Sequence, residues 1–120
     1  MKNSCIQHQF SASYSPHQNG MAERCWGTIF NMARCLLIES LLPKNLWAYA
    51  VKASAYIRNR CYNPRINMMP YEAVLKVKPD LSKLHTFGSH CHALVYIKKK
   101  IDPRSEEGIF LGYDRSSPAY

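Results

Sequence analysis

Apolar residues recur at helical spacing from about Gly20 to Ser40. Ala22, Trp26, Ile29, Ala33, Leu36 and Leu37 fall three and four positions apart and form one stripe. Asn19 stands where an N-cap belongs, and Pro43 marks the stop. A second helix is predicted from about Asn45 to Arg60. Its Leu46, Trp47, Ala50, Val51, Ala53, Ala55 and Ile57 leave little polar surface, so it should be buried on most sides. The alanines permit close approach of a neighbouring helix. Trp26 and Trp47 lie on apolar faces and are expected in the core. Arg58 and Arg60 suit the helix's C-terminal end, and Asn63-Pro64 ends it. Pro70 opens a short helix over roughly Tyr71 to Lys76, and Pro79-Asp80 closes it.

The period changes to two beyond about Leu84. Cys91, Ala93, Val95 and Ile97 alternate with His90, His92, Leu94 and Tyr96, which predicts a strand. Lys98 to Pro103 reads as a turn, and Gly108 to Tyr113 as a second strand. Near the start, residues 5 to 11 place Ile6, His8 and Phe10 on one face of a short strand, and Ser13 to Gly20 follows as a loop. The class is α+β.

Composition narrows the partners. The 120 residues match about one ordinary domain. The net charge of +8 favours a polyanion, nucleic acid first. No apolar run is long enough to cross a membrane, and the first ten residues lack the apolar core of a signal peptide. The five cysteines are odd in number and far apart. They read as reduced, packed thiols of a nuclear or cytoplasmic protein.

Few residues carry chemistry. His90-Cys91-His92 has no Cys-x-x-Cys partner, and neighbours on a strand point to opposite faces, so a zinc site is not expected. His17 and His85 read as loop residues. No phosphate loop or nucleophile elbow occurs. Glu23 is the exception. It falls in the first turn of the long helix, where the helix dipole favours negative charge, just off the apolar stripe. Gly27, one turn on, leaves room beside it.

The stretch from Tyr14 to Arg24, YSPHQNGMAER, resembles the end of the catalytic core of copia-type retrotransposon integrases. In that family a Tyr-[Ser/Thr]-Pro-x-x-Asn-Gly-x-x-Glu-Arg segment carries the last acid of an Asp-Asp-Glu triad. The likeness continues through Leu42-Pro43, Leu46-Trp47-Ala48, Ala55-Tyr56-Ile57, Asn59-Arg60, Pro70-Tyr71-Glu72-Ala73 and Lys78 to Ser82. It extends to Phe87-Gly88, Asp102 to Ser105 and Gly108 to Tyr113. It implies the C-terminal part of a ribonuclease H-like core over residues 1–75, with one strand and two long helices. A linker over 76–83 and the start of a small β-barrel over 84–120 would follow. It further implies that Glu23 is the catalytic acid and a ligand to Mg2+, a hard ion suited to carboxylate and phosphate oxygens. DNA would be the substrate, and other integrase subunits would be partners.

Two departures qualify that implication. Both family aspartates precede the glutamate, whereas no acidic residue precedes Glu23 here. Cys25-Trp26-Gly27 stands where members often carry a basic residue. The chain alone is therefore expected to be inactive and to bind Mg2+ weakly. The alternative is a non-catalytic remnant that binds protein, or DNA through Arg24, Arg34, Arg58 and Arg60, or a truncated product without function. The helices should expose apolar surface that a fuller sheet would cover.

Overall fold

The computed structural model describes Phe10, residues 19–95 and residues 104–113. Within these, the elements run α1 (Gly20–Glu39), a 3-10 turn (Lys44–Leu46), α2 (Trp47–Arg60), α3 (Pro70–Leu75), β1 (His90–Leu94) and β2 (Ser105–Ile109). The strand expected over 5 to 11, most of the Ser13 to Gly20 loop and the Lys98 to Pro103 turn lie outside the described residues. The α+β expectation holds, with three helices and one two-stranded antiparallel sheet among the described residues.

The helices begin and end close to where the periodicity puts them. α1 starts after Asn19, whose side chain makes no capping hydrogen bond. At its other end the Ser40 N–H donates to the Leu36 carbonyl at 3.0 Å, and Leu41 takes a positive φ of 55°. A left-handed residue just past a helix is a common terminator, although glycine takes it at lower cost than leucine. Pro43 then starts the 3-10 turn that leads into α2. α3 opens on Pro70, where a missing N–H costs nothing, and closes at Lys76 with φ of 58°.

The main helix contact joins α1 to α2. Ala33 of α1 and Ala50 and Ala53 of α2 are almost fully buried there. Small side chains let two helices approach closely, and the space left between them takes one large ring. That ring is Phe87, also buried, with Leu36, Leu37, Leu42, Val51 and Leu111 around the cluster. Burying such a ring stabilises by about 1.5–3 kcal/mol. Ser54 is buried beside the alanines, and its Oγ finds no hydrogen-bond partner among the described residues.

Both tryptophans depart from expectation. Trp26 is 54% exposed and Trp47 55% exposed. The described core is built on alanines, and Trp26 lies to one side of that contact, tilted against Phe30 at 5.8 Å. α2 is likewise half open to solvent along Trp47, Tyr49 and Lys52. Three of the cysteines expected to be packed are free and exposed, Cys25, Cys35 and Cys61; Cys91 is half-buried, and Cys5 lies outside the described residues.

The sheet is pinned to the helices at both strands. In register, His90 faces Ile109, His92 faces Glu107 and Leu94 faces Ser105. Three bonds extend the pairing past the strand ends: Gly88 N–H to the Phe110 carbonyl and Phe110 N–H to the Ser89 carbonyl, each 2.8 Å, and Val95 N–H to the Arg104 carbonyl at 3.1 Å. The second strand was expected over Gly108 to Tyr113, but the ladder occupies Ser105–Ile109. The residues after it leave the ladder to pack on α2. Phe110 is buried, and Tyr113 stacks on Tyr56 with ring centroids 3.8 Å apart. The Tyr113 hydroxyl accepts the His85 N–H at 2.9 Å and donates to the His85 carbonyl at 3.2 Å.

That stack continues into α3. The Arg60 guanidinium lies 3.4 Å from the Tyr56 ring centroid and 4.6 Å from that of Tyr71. One Arg60 N–H donates to the Tyr56 carbonyl at 3.2 Å, while its Nε is buried without a hydrogen-bond partner. Tyr113, Tyr56, Arg60 and Tyr71 thus tie the sheet, α2 and α3 together. Between α3 and β1, Asp80 accepts hydrogen bonds from the Ser82 hydroxyl and N–H, which hold its carboxyl below the ordinary value. The sign follows from linkage: this contribution is full above the ordinary aspartate range and fades as pH falls through the lowered folded value.

Five substitutions test this architecture. Gly88 has φ of +81°, and a Cβ there would meet the Ser40 Cβ at 2.4 Å. Gly88→Ala should therefore cost about 2 kcal/mol in a urea melt, whereas Ser54→Ala, which removes an unsatisfied hydroxyl, should be neutral or stabilising. Arg60→Ala should cost about 2 kcal/mol. Arg60→Lys should recover little of that, because an ammonium cannot lie flat on a ring. Arg34→Ala should stay within about 0.5 kcal/mol of the wild type.

Candidate nucleic-acid interface

Helix geometry decides which sequence-predicted site residues can act together. Glu23 lies in the first turn of α1 and is exposed. Nothing approaches the Cβ position of Gly27 within 4 Å, so the helix surface one turn on is open. Arg34 follows Glu23 by eleven residues, about three turns at ~3.6 residues per turn. Glu23, Gly27 and Arg34 therefore share one side of α1, away from the Ala33 contact. Arg34 is exposed and donates to Asn31 Oδ1 at 3.5 Å, a long bond that leaves its guanidinium toward solvent.

Arg24 is exposed on a neighbouring side. Its Nε donates to the Gly20 carbonyl at 3.1 Å, which folds the side chain back along the first turn. The Arg24 carbonyl in turn accepts the Thr28 hydroxyl at 2.9 Å. Arg24 and Arg34 are separated by about 15 Å along the axis at ~1.5 Å per residue, a span that suits separate phosphates better than one.

The α2 arginines differ from these. Arg58 and Arg60 occupy the last turn, where a helix end favours cations, and both are half-buried. Arg60 is engaged with Tyr56 and Tyr71, as described above. The four arginines are therefore not one cluster. Two line α1, one is partly open at the end of α2, and one serves the aromatic stack. Sequence reading missed that stack, although Tyr56 and Arg60 stand at the i,i+4 spacing that brings side chains together on a helix. Its other members, Tyr71 and Tyr113, arrive from distant segments.

Among the described residues, no group of three or more His, Cys, Asp or Glu side chains could hold a metal ion. The carboxylate of Glu23 is one hard oxygen donor, and Mg2+ with a single protein carboxylate needs further oxygen ligands from elsewhere. No helix among the described residues is long and apolar enough to cross a membrane.

The arrangement, a lone exposed carboxylate beside arginines spaced along a helix, can now be set beside known proteins. No family model matches the chain, and no solved structure matches it. Curated relatives do. The chain is 31% identical over 118 residues to the retrovirus-related Pol polyprotein from transposon RE1 of Arabidopsis thaliana, and 30% identical over 118 residues to that from transposon RE2 of the same plant. Each match takes in 96% of this chain. The retrovirus-related Pol polyprotein from transposon TNT 1-94 of Nicotiana tabacum is 33% identical over 113 residues, 90% of this chain. The chain spans about 8% of the length of each of these relatives. By this similarity along nearly its whole length, the chain belongs to the retrovirus-related Pol polyproteins of copia-type transposons and corresponds to one segment of them.

Proposed function

We propose that the chain is part of an integrase, acting in DNA integration, and that it spans the end of a ribonuclease H-like core and the start of a small β-barrel. The observation that supports this best is the setting of Glu23. It is an exposed acid in the first turn of α1, beside the open surface at Gly27, within a sequence related to Pol polyproteins. Glu23 is the residue that would serve as catalytic acid and Mg2+ ligand in such an enzyme. When bound, Mg2+ would supply Lewis-acid stabilisation at a phosphodiester.

In this reading the 120 residues bind DNA without reacting with it. Of the family's three acids these 120 residues carry the place of one, Glu23, and one carboxylate does not make a two-metal site. The arginines of α1 and Arg58 contact phosphates, which positions a duplex without reading its sequence. Arg60 is left out of the contact set because its guanidinium is committed to the tyrosine rings.

Two assays test the reading. Incubated with a recessed DNA duplex and Mg2+ or Mn2+, the chain should give no strand-transfer product. Turnover that disappears on Glu23→Gln would overturn the non-catalytic assignment. Duplex binding should weaken steeply with salt. Arg24→Gln combined with Arg34→Gln should reduce the slope of log affinity against log salt by about two. Absence of duplex binding at low salt, or an unchanged slope, would count against the DNA interface.

A further inference from the structure

An open cleft of about 690 Å3 lies between α2 and the β1–β2 sheet. Its size falls in the range of ordinary ligand sites, about 300–1,000 Å3. Tyr49 and Lys52 line one wall from successive turns of α2, and His85, His90 and His92 line the sheet side, with Tyr113 at its base. None of the described residues lining it is acidic. Glu107, which the register sets opposite His92, is outside the lining. Its mouth is therefore apolar and aromatic, with cationic or neutral polar groups only.

We propose that this cleft takes unpaired nucleotides of a single DNA strand. The fit is chemical. A base needs a flat face to stack on, and its phosphate needs a cation one nucleotide step away. Tyr49 offers a ring that is 48% exposed; the Lys52 ammonium lies over one face, 5.9 Å from the centroid, and the other face is the one a base would stack on. Tyr113 is already stacked on Tyr56, so it serves as a rigid floor. The histidines add hydrogen-bond donors on the far wall. In a duplex the base faces are stacked on one another and offer none to a side chain, so a stacking site selects unpaired nucleotides. The proposal deepens the DNA reading and rests on it, but it uses residues that the duplex interface does not.

Fluorescence anisotropy with the full 120-residue chain and a labelled oligothymidylate of about 12 nucleotides provides the test. The wild-type chain should bind at low salt. Tyr49→Ala should weaken binding about tenfold, and Tyr49→Phe should retain it. Lys52→Gln should weaken it and flatten its salt dependence. Both side chains are exposed, and circular dichroism of each variant verifies that the helices persist. Arg24→Gln and Arg34→Gln should weaken duplex binding far more than oligothymidylate binding, whereas Tyr49→Ala should do the reverse, which separates this proposal from the duplex reading. The cleft assignment is overturned if the folded wild-type chain does not bind the oligothymidylate. It is equally overturned if Tyr49→Ala binds as tightly as wild type, whatever the duplex does.

Discussion

The seat of Phe87 between α1 and α2 is the contact on which the other elements depend. Two strands alone are marginal in water. The β1–β2 sheet persists because the residues just before β1 deliver a large ring into a gap that three alanines leave open. Gly88 follows immediately, with a positive φ, and its backbone passes so close to Ser40 that no side chain fits. The same residue donates to the Phe110 carbonyl. One short stretch thus sets the distance of the sheet from α1, begins the pairing with the second strand and closes the core. If Phe87 were withdrawn, the alanine faces would meet water and the sheet would lose its support.

The aromatic stack is the second tie, and it works differently. Phe87 contributes by leaving water. Arg60 contributes by spreading a delocalised charge over two tyrosine rings, a geometry that partly offsets burial of the charge and of an unbonded Nε. Because Tyr113 joins that stack from beyond β2, the ladder ends at Ile109 instead of running on to Tyr113. Tertiary packing has overridden a good local strand pattern there, as it commonly does where strand preference depends on neighbours.

How much was legible follows from where each signal resides. Helix periodicity is local, so α1 and α2 were readable from the spacing of Ala22 to Leu37 and Leu46 to Ile57. Burial depends on what arrives from elsewhere, so the periodic stripe could not say which of its members would be covered. Ala33 is covered and Trp26, on the same stripe, is not. Large residues attract the expectation of burial, yet close helix contact selects small ones. Glu23 was legible as a residue of interest from its motif. The tyrosine stack and the Tyr49–Lys52 pair were not, because their partners are far apart in sequence or carry no motif.

The same distinction bears on the proposed function. Binding to a polyanion is a sum of many weak contacts, each phosphate releasing its own counterions. Such a sum degrades gradually: with Arg60 committed to a stack, the proposed DNA contacts would lose one member and keep the rest. Metal-assisted chemistry has no such tolerance. Mg2+ gives up hydration water reluctantly and holds near-ideal octahedral geometry, so its ligands must arrive as a set. A segment with sixteen basic residues and one suitably placed carboxylate can therefore hold on to the first property without the second. In the proposed function Glu23 would mark which surface of α1 faces the reacting phosphodiester in an assembled enzyme, while affinity for DNA would rest on arginines that need no partner carboxylates at all.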